Sequence, residues 1–247
     1  MDITVHAVCF NEERMLPHFL NYYSRIATRI VIYDNLSTDR SVEIAAACPG
    51  VEVFSFDTQG ELSELSLMNV RNTCWKNDRS DYSIVCDIDE FLFAEDLVAF
   101  LESKADYEVF HAAGFDMVSD AFPSDYGRLI TEQVKHGVPA MDYSKMVIFR
   151  PQALAEMNYG PGSHRAAPVG KAALRIYAAR EHGSDLKLLH YKNLGFEHRI
   201  RKHQSLATRV RGAEYEKHGF GMHYRLPHDV QRQQYDLLKK LAVKVVP

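Results

Sequence analysis

The chain has 247 residues, of which 46% are apolar and 25% charged, with a formal net charge of −4. That apolar share can fill a sizeable core, which excludes a disordered chain, and no apolar run approaches the roughly 20 residues that span a bilayer. The small net charge conceals an asymmetry: residues 171–247 carry 16 Lys/Arg against 7 Asp/Glu, and the first 170 carry 13 against 26. A basic C-terminal third suits peripheral contact with a membrane, anionic glycan or phosphate, and equally a solvated face that balances the acidic part. Cys9, Cys48, Cys74 and Cys86 form no Cys-x-x-Cys pair. They read as reduced core residues of a cytoplasmic protein. No signal peptide precedes the first expected strand.

In chain order, Ile3–Phe10 reads as a buried parallel strand, and Asn11–Thr28 has helical periodicity through Met15, Phe19, Leu20 and Tyr23. A second strand, Arg29–Tyr33, leads into the polar loop Asp34–Asp39. A helix follows over Ser41–Cys48, stopped by Pro49-Gly50. Val51–Phe56 is a third strand, Leu62–Lys76 a long helix, and Tyr82–Asp87 a fourth strand. This alternation predicts an α/β fold with a mainly parallel central sheet. Further strands are expected at Glu108–Phe115, Lys145–Arg150 and Lys187–Tyr191, and helices at His198–Glu216 and Gln231–Lys244.

The most informative motif is Cys86-Asp87-Ile88-Asp89-Glu90-Phe91. Carboxylates at i and i+2 share one face where the strand stays extended. They sit at the carboxyl end of a parallel strand, where open α/β sheets place their ligands. Two anions in one small pocket call for a cation, and a divalent metal held by few carboxylates commonly carries phosphates too. A turn with Asp caps would use the same residues. No basic residue nearby in sequence pairs these acids.

Asn11 and Glu12 after the first strand, and Asp34 and Asn35 after the second, fall on the same expected rim. There polar groups can read a base and a ribose. Helix capping competes for Asn11 and is the better reading of Asp39. Arg71, late in the third helix, can pair with Asp34 or a phosphate, or face solvent. His190 is again at a strand end and can complete an oxygen and nitrogen shell for Mn2+, with Lys192 beside it for a phosphate. His164 lies on a Gly/Pro loop; His198 and His203 read as unremarkable members of a polar helix. No Gly-x-Gly-x-x-Gly, P-loop or Gly-x-Ser-x-Gly pattern is present, which disfavours dinucleotide, P-loop and α/β-hydrolase chemistry.

Three segments together carry a resemblance: Val8-Cys-Phe-Asn-Glu-Glu13, Ile32-Tyr-Asp-Asn-Leu-Ser-Thr-Asp39, and Val70-Arg-Asn72 with Cys86–Phe91. The chain resembles the glycosyltransferase family 2 group, in the branch whose metal motif reads Asp-x-Asp-Glu-Phe. The resemblance covers roughly the first 95 residues. It implies one GT-A-type, Rossmann-like domain with a C-terminal helical extension: residues 1–95 for the nucleotide, 96–195 for the acceptor and 196–247 as the extension. It implies Mn2+ or Mg2+ at Asp87, Asp89 and His190. A UDP- or GDP-sugar would lie on Asn11, Glu12, Asp34, Asn35, Arg71, Asp87 and Lys192. The acceptor would be a glycan or lipid-linked glycan at the inner face of a membrane, as in surface polysaccharide synthesis, and no nucleic acid is expected. The implied reaction is an inverting displacement, with Asp116 as general base and Asp120 and Glu181 behind it. The rivals are a haloacid-dehalogenase-type phosphatase, a sugar nucleotidyltransferase and a silent glycan-binding module. Phe91 occupies the place where such a phosphatase usually has Thr or Val, and the Gly-rich opening of a nucleotidyltransferase is absent.

Overall fold

The structure, a computed structural model, describes residues 1–179 and 185–247. Four strands open the chain: β1 (Ile3–Cys9), β2 (Arg29–Asp34), β3 (Val51–Ser55) and β4 (Tyr82–Asp87). They lie parallel in the order β4-β1-β2-β3. Register places Val8 beside Asp87 on one side and Tyr33 on the other, so the strands emerge on one rim. The continuous apolar run of β1 has its cause here. Ile3, Val5, Ala7 and Cys9 enter the main core on one face, while Thr4 and His6 are buried on the other.

Helices α1 (Leu16–Tyr23), α2 (Ser41–Ala46) and α3 (Glu64–Thr73) make the crossovers. Each is shorter than the periodicity predicts. Ser24–Ala27 closes α1 with a tight turn, Ala27 N–H donating to the Tyr23 carbonyl at 2.8 Å. The α3 helix begins where the Ser63 hydroxyl accepts from the Ser66 N–H. Helix α1 brings Phe19, Tyr22 and Tyr23 against Phe91, whose other side meets Tyr191. The Tyr23 hydroxyl donates to the Glu90 carbonyl at 3.0 Å and accepts from Leu92 N–H at 2.9 Å. That pair of bonds holds the chain as it leaves the acidic motif.

The remaining elements are β5 (Glu90–Phe93), α4 (Leu97–Ser103), β6 (Val109–Ser119), α5 (Ile130–Gln133), β7 (His136–Pro139), β8 (Lys145–Phe149), β9 (Leu154–Glu156), β10 (Val169–Gly170), β11 (Ile176–Ala178), β12 (Lys187–Leu194), α6 (Phe196–Ala207), α7 (Gly212–His218), α8 (His228–Leu241) and β13 (Val243–Lys244). Strand β8 runs antiparallel to both β4 and β6 and joins the opening strands to the rest of the sheet. Strand β6 pairs with β8 and β11 along its first part and with β7 and β12 along its second. The sheet is thus parallel around β1 and mixed around β6.

Three expectations change. The short strand β5 and helix α4 were not anticipated. Strand β6 continues to Ser119, because Met117 and Val118 are also buried, so Asp116 lies inside a strand and not after one. The single helix expected over 198–216 is interrupted. There the Arg209 carbonyl accepts from Leu62 N–H at 2.8 Å, and the Arg209 side chain turns inward.

The second face of β1 is stabilised by one buried carboxylate. Asp78 accepts from Thr4 and Ser83 hydroxyls and Ser80 N–H, and meets His6 Nε2 at 3.1 Å. Burial alone would raise its pKa, but these hydrogen bonds, His6 foremost, hold it well below the usual carboxylate range. A depressed folded pKa contributes stability above the unfolded value of about 3.9 that is lost as pH falls through and below it. Unfolding midpoints measured from pH 7 down to pH 3 should therefore decline in the native chain. Asp78→Asn should start lower and decline less over the acid part of that range; parallel curves would contradict this account.

Candidate functional site

A cleft of about 220 Å³ opens at the carboxyl rim of β4 and β1. Asp87, Ile88 and Asp89 all line it, and Ile88 is also buried against the core at 2% exposure. The chain turns at Ile88–Asp89 directly after β4, so a turn and not a continued extended strand brings the two carboxylates into one cleft. Glu90 turns back: its carboxylate accepts from Asp87 N–H at 3.1 Å and from Lys145 Nζ at 2.5 Å, both side chains being buried.

Each carboxylate of the motif has a cation from a distant element. Arg71, on α3 and 4% exposed, donates from Nη2 to Asp87 Oδ1 at 2.7 Å. Its Nε and Nη1 are buried with no hydrogen-bond partner. Arg71 therefore pairs with Asp87 and not with Asp34. Burial would raise Asp87, but Arg71 and then Lys145 hold it below its ordinary value. Lys202 on α6 donates to Asp89 Oδ2 at 2.7 Å and to Glu12 Oε1 at 2.6 Å. His190 Nε2 lies 3.5 Å from Asp89 Oδ2, and its Nδ1 lies 3.2 Å from Asp116 Oδ1. Burial opposes the charge on His190, yet Asp89 and Asp116 lift its pKa to about 9. Asp89, against its burial, is held far below the carboxylate range by Lys202 and His190. Glu12 is pushed up, by burial and by Asp89, against the pull of Lys202.

The two loops beside the motif divide their labour. Asn11, in a left-handed conformation at φ 53°, ties the loops together: Oδ1 accepts from Thr38 N–H at 2.7 Å, and its own N–H donates to Ser37 Oγ. Asp34, 2% exposed, accepts from Ser37 N–H through Oδ2, while Oδ1 is buried without a partner. Neither Asn11 nor Asp34 lines the cleft; Glu12 and Asn35 do. Asp39 receives Ser41 N–H and hydroxyl at the start of α2, the capping role expected of it. Asn35 accepts from Arg209, whose guanidinium also stacks on Phe10 at 3.7 Å.

The far wall comes from β12 and the segment before β8. The Tyr143 ring packs on His190 with centroids 4.2 Å apart. Gly114 on β6 makes this approach possible, since a Cβ there would sit 2.2 Å from the Tyr143 carbonyl carbon. Lys192 and His164 also line the cleft. Gly195, at φ 78° and with a Cβ position 3.0 Å from Ala121 Cα, turns the chain out of β12 into α6. On α6, His198 and Lys202 lie one turn apart, and Lys202 reaches the cleft. His198 and His203, unremarkable in sequence as members of a polar helix, are both buried. Asp120 is exposed and paired with Lys239, and Glu181 lies outside the described residues. The sequence reading missed Lys202, Lys145, Tyr143 and Arg209. Only Lys145, a single charge opening an apolar strand, carries a signal by itself.

The donor chemistry of Asp89, with His190 adjacent and Asp87 on the same wall, fits a hard or borderline divalent ion such as Mg2+ or Mn2+. Among the described residues no three His, Cys, Asp or Glu side chains form a complete metal cage. An ion held here would draw its other ligands from phosphate and water, as Mg2+ commonly does. It would share Asp89 with the ammonium of Lys202.

No protein-family model and no curated protein matches the chain. Among solved structures it is similar to S. aureus TarS 1–349, at 14% identity and a TM-score of 0.48, over 94% of this chain and 69% of that one. It is also similar to glucosyl-3-phosphoglycerate synthase from Mycobacterium tuberculosis in complex with Mn2+, UDP and phosphoglyceric acid, at 18% identity and a TM-score of 0.34. That alignment covers 46% of this chain and 43% of the synthase, so the chain spans less than half its length. A third is 4-diphosphocytidyl-2C-methyl-D-erythritol synthase from Anaerococcus prevotii, at 13% identity and a TM-score of 0.34, over 61% of this chain and 71% of that one.

Removing Lys202 leaves Glu12 and Asp89 facing each other with one cation fewer. Lys202→Met should cost about 3 kcal/mol or more at pH 8, as breaking a buried pair does. The loss should shrink at pH 5, where Glu12, already raised, takes up a proton. Chemical denaturation at the two pH values checks this, and an equal loss at both would contradict it.

Proposed function

We propose that this cleft binds the diphosphate of a nucleotide-sugar and that the chain is a glycosyltransferase using Mn2+ or Mg2+. One observation carries the reading. Asp87 and Asp89 share a cleft at the carboxyl rim of parallel strands with Glu12 and Asn35, and Arg71, Lys192 and Lys202 line the same cleft. Carboxylates for a metal beside cations for phosphate oxygens form the complement of a metal diphosphate. A topological rim of this kind is where α/β folds hold nucleotides.

In this reading Asn35 and the apolar side chains of Phe10, Leu62 and Leu206 take the base and ribose, on the side of the cleft held by Arg209. Asp34 and Asn11 act through the loops they brace. Asp89, with His190 adjacent, would hold the metal, which when bound supplies Lewis-acid stabilisation to the departing diphosphate. Arg71 keeps Asp87 ionised beside it and offers two unpartnered nitrogens. Lys202 supplies positive charge on the opposite wall, and Lys192 stands between this cleft and the neighbouring cavity.

The reaction is a single displacement. The acceptor oxygen bonds to the anomeric carbon as the bond from that carbon to the diphosphate oxygen breaks, which inverts the centre. The acceptor proton passes to a carboxylate, assigned to Asp116. Asp116 stands behind His190 on β6 and lines a neighbouring cavity that adjoins the diphosphate cleft at Tyr143, Lys192 and His223. The acceptor is a glycan or a lipid-linked glycan, presented where the basic C-terminal third meets a membrane surface. Among the described residues no helix is long and apolar enough to cross a membrane.

A panel of UDP- and GDP-sugars with Mn2+ or Mg2+, scored by nucleotide release, tests the reading. At least one donor should turn over, and Asp89→Asn, assayed where circular dichroism shows it folded, should lower the rate on the order of 10²–10³-fold. Full metal-dependent turnover by Asp89→Asn would sink it. Release of phosphate from simple esters, abolished by Asp87→Asn, would instead point to a phosphatase.

A further inference from the structure

A second cavity of about 390 Å³ lies on the other side of Tyr143 and Lys192 from the diphosphate cleft. It is enclosed by the ends of β6 and β12, helix α6 and helix α8, and Asp116 is on its wall. Its lining has two characters. One wall is cationic and short of partners. Lys192 makes no hydrogen bond or ion pair among the described residues, its ammonium lying only over the Tyr224 ring at 5.5 Å. Arg199, 7% exposed, is held by two neutral groups, donating to Asn193 Oδ1 at 2.7 Å and Gln234 Oε1 at 2.9 Å, and its Nε is buried without a partner. His203, 2% exposed, has Gln231 beside it and no well-formed hydrogen bond to either ring nitrogen. The opposite wall is Leu226, Leu237, Leu238 and Leu241, and both Leu237 and Leu241 are more than half exposed at the mouth.

The electrostatics agree with the geometry. Burial, then the charges of Lys192 and Arg199, drive His203 down to about 3 and His223 to about 4, so both imidazoles are neutral. The carboxylate on this wall, Asp116, is already engaged by His190. The cavity thus holds one buried cation, Arg199, and one half-buried cation, Lys192, with no anion bonded to either. Desolvated charge of this kind is costly unless a counter-ion is supplied.

We infer that this cavity is a binding site for a phosphorylated amphiphile, its phosphate seated against Arg199 and Lys192 and its apolar chain leaving along Leu237 and Leu241. A guanidinium held at two corners by amides presents its remaining N–H to a phosphate oxygen, and a lysine adds a point charge. The exposed leucines on α8 give a chain of methylenes a surface to lie on. With the glycosyltransferase reading above, on which this last step rests, the occupant is the acceptor. Its reacting hydroxyl then lies next to Asp116, and its phosphate makes the acceptor anionic.

The test uses the full chain and octyl phosphate below its micelle concentration, followed by titration calorimetry, with inorganic phosphate and octyl glucoside as the other arms. Octyl phosphate should bind at least tenfold more tightly than either. Arg199→Gln should weaken it at least tenfold, Arg199→Lys should recover most of that loss, and saturating UDP should leave it in place. Leu237→Asp should weaken octyl phosphate without changing inorganic phosphate. Equal affinity for octyl glucoside, equal affinity for inorganic phosphate, indifference to Arg199→Gln, or displacement by UDP would each overturn the assignment. UDP binding, measured on the same proteins, reports on the donor cleft separately. Its absence with octyl phosphate still bound would remove the acceptor role and leave the anion site.

Discussion

Five carboxylates, those of Glu12, Asp87, Asp89, Glu90 and Asp116, are gathered around the ends of three strands, and their mutual repulsion is the constraint that shapes this site. Water screens such groups poorly once they are buried, so each needs a fixed counter-charge. The counter-charges arrive one per element: Arg71 from α3, Lys145 from β8, His190 from β12 and Lys202 from α6. Arg71 and Lys145 come from the acidic first 170 residues, His190 and Lys202 from the basic C-terminal third. The C-terminal charge that a sequence reading assigns to a membrane or a solvated face is in part spent inside the molecule.

Much of the fold was legible because its signals are local. Continuous apolar runs punctuated by polar loops mark the four parallel strands, and the acidic motif marks the rim, though a turn and not an extended chain brings Asp87 and Asp89 into one cleft. The pairing of those acids was not legible, because their partners lie 16 to 113 residues away and no local pattern marks them. Lys202 is one cation among several on a polar helix. What distinguishes it is the orientation of α6, set where Gly195 turns the chain. Asp34 shows the opposite difficulty. A carboxylate at a strand end looks the same in sequence whether it receives a ligand or, as here, the N–H three residues on. His203 was passed over because a histidine on a polar helix gives no sign that α8 will cover it.

The two cavities are separated by a thin partition: the ring of Tyr143, the imidazole of His190 and the ammonium of Lys192. His190 is the member with a carboxylate on each side, Asp89 toward one space and Asp116 toward the other. A change of charge in either cavity is felt in the other through that single ring. Gly114 matters for the same reason. It lets the Tyr143 backbone approach β6 closely, which sets the ring where the two spaces meet.

The reach of β6 across the sheet also bears on how the molecule is made. Its partners β7, β8, β11 and β12 are all synthesised after it, and the last cation of the rim, Lys202, follows them. Pairings between distant segments form slowly, since a long loop must close before any contact compensates for it. As the chain emerges, β1 to β4 can assemble early with Arg71 already beside Asp87, but β4 then waits with an open edge, and Asp89 and Glu90 without their cations, until β8 and α6 arrive. That interval is when an unpaired strand edge is exposed to other chains. The same carboxylates that equip the finished cleft put negative charge at the end of the unfinished edge, and charge at an edge discourages pairing with another strand.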